Sequence, residues 1–464
     1  MSIRKMETRR EFFRVSIKAL TGAATLGTLG RFGAINAWAA SNLPYQALVC
    51  VYLAGGNDSH NMVIPVKTAQ QNYSTYFASR GALALPSGSI HPISTKSGDG
   101  YGLHPNMPEI QALYNSGHAA VVANVGMLVI PLADKNAYNN YPAGSPSLPV
   151  NLFSHSDQTS QWQTAQPSGV SATGWGGRIA DMLQASYNGS GQYPSIINDG
   201  GCGQFCTGSQ VLPGVVPALG PAGLTGPGSD VARQQGIQQL LAFDNGLKLV
   251  QAANSIANRG ITQGSLLNSL LAAEPALTTA FPSGNPLADQ LKMAARIIGV
   301  HSQLGLGRQI FFCSLGGFDT HSSQLNAYTG QDPLLLQLSQ ALNAFYNATV
   351  ELGVSQCVTA FTASEFGRTV MPNGNVGTDH AWGSHHIVVG GSVAGGDIYG
   401  QYPLVTLGNA NPLDVTGRGS LIPTTSMDQY AATLAQWFGV PQASLSSVFP
   451  NIGNFGVQNL GFVA

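Results

Sequence analysis

Three stretches of the chain share one pattern. Residues 46–53 (QALVCVYL), 309–315 (QIFFCSL) and 357–363 (CVTAFTA) are short runs of near-continuous apolar positions, each followed by Gly or other small residues and then an acid. A short run without polar alternation predicts a strand covered on both faces, as in a parallel sheet between helices. Residues 119–125 (AAVVANV) predict another such strand. Between the runs, apolar positions recur at helical spacing over 108–114, 286 to about 304, 333 to about 353, and 428–438. Pro108, Pro286 and Pro333 stand near the first turns, where a missing N–H is harmless, and Gly439 stops the last helix. Alternating strands and helices predict an α/β fold, with a mostly parallel central sheet and helices on both faces. The Gly/Pro-rich stretch 198–228 reads as a cap or loop insertion. Strands ending in an acid occur on both sides of it, which predicts one discontinuous sheet rather than two domains.

The acids gather where such a sheet binds ligands, at the carboxyl ends of its strands. GGND (55–58) carries Asp58, GGFDTH (316–321) carries Asp319 and His321, and SEFGR (364–368) carries Glu365 and Arg368. A loop at 373–386, NGNVGTDHAWGSHH, adds Asp379 and His380. Zinc and manganese accept carboxylate and imidazole together, whereas imidazole disfavours calcium. Asp58, Asp319, His321, Glu365, Asp379 and His380 are enough ligands for one or two divalent ions. Two ions about 4 Å apart would clamp a displacement at phosphorus or sulfur. A strand-end Asp is also a common helix N-cap or turn former, so each residue alone has a structural reading too.

Composition narrows the class. Of 464 residues, 44% are hydrophobic and only 9% are charged, against about 25% charged in typical soluble domains. No run of 18 or more uninterrupted apolar residues occurs, which excludes a polytopic membrane bundle. The net charge of −1 hides an asymmetry: residues 1–40 hold seven Lys/Arg and two acids, leaving a net of −6 on the remainder. There is no basic stripe with interleaved aromatics, so nucleic acid is not an expected partner. The basic leader contains TRREFFR (8–14), a weakly apolar Gly/Ala-rich stretch over 15–34, and Ala37-Trp38-Ala39 as a small-x-small cleavage pattern. It resembles a twin-arginine export signal; the competing reading is a cytosolic amphipathic N-terminus. Export implies a signal at 1–40, a single domain at 41–464, the twin-arginine translocase as a transient partner, and a periplasmic or extracellular protein without stable membrane insertion. Cys50, Cys313 and Cys357 sit in apolar runs and read as small buried hydrophobes. Cys202 and Cys206, in the Gly-rich stretch, could close a small disulfide; no zinc-finger spacing occurs.

Longer motifs carry a family resemblance. LAGGND (53–58), GLHPNMPEIQALYNSG (102–117), FSHSDQ (153–158), GWGGR (174–178), LGGFDTH (315–321), SEFGRTV (364–370), NGNVGTDHAWGSHHIVVGG (373–391) and DQYAATLAQWFGV (428–440) resemble the domain-of-unknown-function 1501 family. That family is placed in the alkaline phosphatase/sulfatase superfamily, so the resemblance implies an alkaline-phosphatase-like fold. It implies metal-dependent hydrolysis of a phosphate or sulfate ester, an anionic ester being the substrate. Asp58 matches the metal-binding Asp after the first strand. Ser154 matches the nucleophile that opens a helix, where free N–H groups favour an anion. Asp319 and His321 look like the middle ligands and His380 like the late His. Glu365 stands where relatives place an Asp-His pair, and Phe366 replaces that His. Asp379 would bind metal or orient His380. Arg368 would neutralise the bound anion or pair with Glu365 or Asp319. Phe366 leaves open the rival reading of a secreted binding or assembly protein that keeps the fold without the chemistry.

Overall fold

The computed structural model describes residues 44–464, apart from 143, 190–192, 200, 202 and 224–230. The stretch expected to be an export leader and Cys202 lie outside the described residues.

Among the described residues, twelve strands form two sheets: β1 (Gln46–Ala54), β2 (Val63–Lys67), β3 (His91–Ser94), β4 (Gly100–Leu103), β5 (Ala119–Gly126), β6 (Ile196–Asn198), β7 (Gly214–Val215), β8 (Arg308–Gly316), β9 (Val358–Ala363), β10 (Ser384–Gly390), β11 (Ile398–Tyr399) and β12 (Thr425–Ser426). The large sheet runs β11-β5-β10-β9-β1-β8-β6-β7, with β12 also on β5; β2, β4 and β3 make a small antiparallel sheet. β1 pairs in parallel with both β8 and β9. The three sequence-predicted runs are therefore the three adjacent strands at the centre. The sheet is mostly parallel, but β10 is antiparallel to both β9 and β5. The Gly/Pro-rich stretch contributes β7, which extends the sheet edge through β6.

Alternation along β1 shows why its sequence had to be apolar throughout. Ala47, Val49, Val51 and Leu53 enter one core, and Leu48, Cys50 and Tyr52 enter the other. Helices Pro286–Gly299 and Gln331–Glu351 cover the first face with Leu287, Leu291, Ile298, Leu335, Leu338 and Leu342. Helices Trp175–Leu183 and Met427–Trp437 cover the second with Trp175, Ile179, Tyr430 and Leu434. Both helix boundaries predicted from Pro286 and Gly439 hold to within a few residues. Among the described residues, no helix is long and apolar enough to cross a membrane.

Parallel pairing of β1, β8 and β9 brings their carboxyl ends to one edge. The loops leaving β1 and β8 then touch. Gly55 has φ +119°, and a Cβ there would lie 2.4 Å from the Asp319 amide nitrogen. Only glycine allows both that backbone and that approach.

Candidate metal centre

Asp319 is the hub of the site. Its Oδ1 lies 3.1 Å from His321 Nε2, 3.5 Å from His380 Nε2 and 3.5 Å from His155 Nε2. His321 Nε2 and His380 Nε2 are 2.8 Å apart. The ligand atoms of His155, Asp319 and His380 all lie within 4.8 Å of one another, and His321 touches two of these three.

Each imidazole has its other nitrogen engaged by an oxygen. His155 Nδ1 is 2.9 Å from Glu365 Oε1, His380 Nδ1 is 2.8 Å from the Phe153 carbonyl, and His321 Nδ1 is 3.4 Å from Asp379 Oδ1. A carbonyl or carboxylate oxygen only accepts, so the two short contacts place the His155 and His380 protons on Nδ1. The Nε2 lone pairs of His155 and His380 then face Asp319. Ring nitrogens 2.8 Å apart need a proton or a cation between them. Ligand atoms on a tetrahedral zinc, with bonds of about 2.0–2.1 Å, lie about 3.3 Å from one another, close to the 3.5 Å that separates Asp319 Oδ1 from both His155 and His380 Nε2. The donor set therefore fits a divalent ion that takes imidazole and carboxylate, with His155, Asp319 and His380 as its ligands and His321 beside them. Glu365, Asp379 and the Phe153 carbonyl orient the rings from behind, the usual support of metal-binding histidines.

The surroundings tune the charges. Partial burial works to raise the Asp319 pKa, but the hydrogen bond and charge of Arg368, helped by His321 and His155, hold it below the usual carboxylate range. Asp379 is likewise held low against its burial by Asn373 and Arg418; Arg418 Nη1 donates to its Oδ2 at 2.7 Å. Burial, then the charges of Arg368, His155 and His321, push His380 down despite its bond to the Phe153 carbonyl. Asp319 and His321 remain nearly half exposed while Glu365 is 4% exposed, so the cluster has a sealed back and an open front.

Local structure explains how the pieces arrive. Ser154 caps helix His155–Thr164, and the preceding Phe153 has φ +73°. This turn points the Phe153 carbonyl at His380 and the next imidazole, His155, at Asp319. Phe366 is 2% exposed, with its ring centroid 4.8 Å from that of His155 and 4.7 Å from that of His380. In place of a histidine ligand it supplies an apolar wall for two others.

Not every residue singled out in the sequence joins the cluster. Asp58 is fully buried in an ion pair with Arg80. Its Oδ2 also accepts from Gln324 at 2.5 Å, and its Oδ1 caps the His60 N–H at 3.1 Å. It is a buried cap and ion-pair partner. Arg368 has a fully buried side chain; it donates to the carbonyls of Gly56 at 2.8 Å, Thr378 at 2.9 Å and Gly55, and pairs with Asp319. Of the partners its sequence context suggested, Asp319 is the one it takes. Glu365 and Asp379 stand behind imidazoles, and Asp379 faces His321 rather than His380. Ser154 adjoins the cluster in sequence, but its hydroxyl donates to Asp157 Oδ2 at 2.5 Å. His385 and His386 are buried, stacked on Tyr402 and Tyr430 respectively. His155 is the residue that sequence reasoning passed over. Its only local signal is an imidazole immediately after an N-capping Ser.

The cavities of about 700 and 600 Å³ are lined by residues outside this cluster.

A family model described as "Protein of unknown function (DUF1501)" matches residues 45–416. No curated protein matches the chain. Solved structures similar to it include the C-terminal periplasmic domain of EcEptC from Escherichia coli in complex with Zn, at 10% identity and TM-score 0.33, over 76% of this chain and 74% of that one. The PsFucS1 sulfatase from Pseudoalteromonas sp. matches at 8% identity and TM-score 0.34, over 89% and 72%. A protein in the alkaline phosphatase superfamily from Vibrio parahaemolyticus matches at 10% identity and TM-score 0.32, over 86% and 67%. Superpositions this loose carry nothing about substrate or chemistry.

Proposed function

The chain belongs to the DUF1501 family, and we propose that it is an exported, metal-dependent hydrolase of phosphate or sulfate esters. The observation that carries the reading is the convergence of imidazole Nε2 atoms on Asp319, each ring held from behind by an oxygen. His155, Asp319 and His380 would hold the ion, zinc or manganese before calcium. When bound, it supplies positive charge and Lewis acidity at an anionic ester oxygen.

The chain's own residues do the rest. Arg368 fixes the Asp319 carboxylate, and Glu365 and the Phe153 carbonyl keep the Nδ1 protons in place. Phe366 keeps water from the back of His155 and His380. Ser154, at a helix start, is the proposed nucleophile: as its oxygen bonds to phosphorus or sulfur, its proton passes to the Asp157 oxygen it already touches. The ester alcohol leaves with its bonding electrons and is protonated from water, and the proton on Asp157 neutralises the hydroxide so formed. A water molecule then releases the phosphate or sulfate and restores the serine. The leader motif supports delivery through the twin-arginine translocase.

A second reading, a secreted binding or assembly protein, draws on Phe366 and on Arg368, whose guanidinium is spent inside the fold.

Elemental analysis of purified protein, followed by assays on aryl phosphates, phosphodiesters and aryl sulfates, tests the proposal. We expect a divalent ion and turnover of one ester class. Metal-free protein whose melting ignores added ions would overturn the metal reading; bound metal without turnover would favour the binding protein. Ser154→Ala should reduce turnover by several orders of magnitude with metal retained. If it keeps more than about a tenth of the rate, Ser154 is only a cap and water is the attacking group.

A further inference from the structure

Helices Val231–Ala242 and Lys248–Ala273 are joined by a turn at 243–247. They pack as an antiparallel pair: Gln238 Nε2 donates to Asn258 Oδ1 at 3.2 Å, and Asn254 Nδ2 to the Phe243 carbonyl at 3.3 Å. The pair is anchored at its far end. The buried residues of the second helix are Gly264, Leu267 and Leu271, and the Asn268 amide brackets the backbone of Ala222 with two bonds of 2.9 Å. At the other end Leu240, Phe243, Leu247 and Leu249 are 72%, 67%, 59% and 84% exposed. Single exposed apolar side chains are ordinary. Four within ten residues, at the end of a projecting hairpin, form a patch.

The charge around the patch is one-sided. From 231 to 273 there are three cations, Arg233, Lys248 and Arg259, and one acid, Asp244. Asp244 closes the turn: its Oδ1 accepts from the Gly246 N–H at 2.7 Å and its carbonyl from the Leu247 N–H at 3.0 Å. Lys248 stands directly beside the apolar residues. The rest of the chain after residue 40 carries a net negative charge.

We propose that the hairpin tip docks the protein reversibly on an anionic lipid surface. Leu240, Phe243, Leu247 and Leu249 enter the headgroup boundary, and Lys248 meets the lipid phosphates. The size of the patch separates this from a protein partner. Four such side chains expose roughly 500 Å² together, below the ~800 Å² per partner of a stable protein interface. A few apolar side chains with an adjacent cation are enough for peripheral, salt-sensitive membrane binding. Placement at a turn, rather than along a helix face, also suits end-on approach to a flat fluid surface.

The test is flotation of the full chain with vesicles of phosphatidylcholine alone and of a phosphatidylcholine–phosphatidylglycerol mixture. The protein should float with the mixed vesicles, less with the neutral ones, and less at high salt. The double variant Phe243→Ser, Leu249→Ser should bind about tenfold more weakly, with circular dichroism and melting unchanged because both side chains are exposed. Lys248→Glu should weaken binding to the mixed vesicles selectively. Wild-type protein that does not float, or a double variant that floats as well as wild type, overturns the proposal. So does light scattering that shows a wild-type dimer dissolved by the double variant, which would make the tip a contact between copies.

Discussion

At the scale of single residues, the site depends on which groups lie behind the ligands. Glu365 touches His155 Nδ1 and also accepts from the Gly55 N–H at 2.8 Å. Glu365→Gln should therefore keep the fold and lower metal affinity by roughly 10–100-fold, measured by competition with a chromogenic chelator; unchanged affinity would show that Glu365 does not orient the ligand. Two buried guanidiniums matter as much. Arg80 is committed to Asp58, Asn61 Oδ1 and the Thr369 and Val370 carbonyls, and Arg368 to Asp319 and three carbonyls. A second divalent ion at Asp58 would have to displace Arg80, so elemental analysis should find one ion per chain. Arg80→Met leaves the Asp58 carboxylate buried without its charge partner, held only by the Gln324 amide and the His60 N–H. It should cost about 3–5 kcal/mol in urea unfolding, the usual result of stripping one partner from a buried pair.

At the scale of elements, loops that meet and helix ends that are buried decide stability. Gly377 lies against the His321 backbone, where an added Cβ would fall 2.2 Å from its carbonyl carbon. Gly377→Ala should push the His321 loop off Asp319, lowering both melting temperature and metal affinity; an unchanged pair of values would mean the two loops are not coupled. Asp428 stands in the first turn of helix Met427–Trp437, fully buried. Burial pushes its pKa up to about 7, against the pull of the Asn451 N–H and the Arg178 charge. Its folded-state pKa is above the unfolded one, so the folded protein holds a proton that the unfolded chain releases. Stability should therefore fall as pH rises from about 4 to about 7, by up to ~4 kcal/mol from this group. Asp428→Asn should flatten that slope in denaturant titrations across pH; an identical slope would place its origin elsewhere.

At the scale of the whole molecule, the candidate ligands come from three distant segments: the helix after Ser154, the loop after β8 and the loop before β10. An ion bound there ties these segments together only in the folded state. Saturating zinc or manganese at about 100 times the dissociation constant should add roughly 2.7 kcal/mol of stability, read as a melting shift that His380→Ala abolishes. Export belongs to this scale too. Replacing Arg9 and Arg10 with Lys should leave the precursor in the cytoplasm, and undiminished delivery would refute the leader reading.

What the sequence alone determined is what local pattern carries. Unbroken apolar runs became β1, β5, β8 and β9, because a strand covered on both faces cannot alternate polar and apolar positions. Pro286 and Gly439 marked helix boundaries because their backbone constraints act where they stand. Asp319 was legible as an acid following a predicted strand, and His380 as an imidazole beside an acid in a Gly/Asn-rich loop. What only the tertiary structure decided is which side chains meet. Asp58 and Asp319 follow β1 and β8 in similar glycine-rich motifs, GGND and GGFDTH, yet one is sealed by Arg80 and the other gathers imidazoles. Strand order and loop packing made that choice, and neither leaves a mark in local periodicity. The antiparallel course of β10 and the arrival of His155 at the hub have the same origin. They arise from contacts between residues tens to hundreds of positions apart, where the chain's local chemistry is silent.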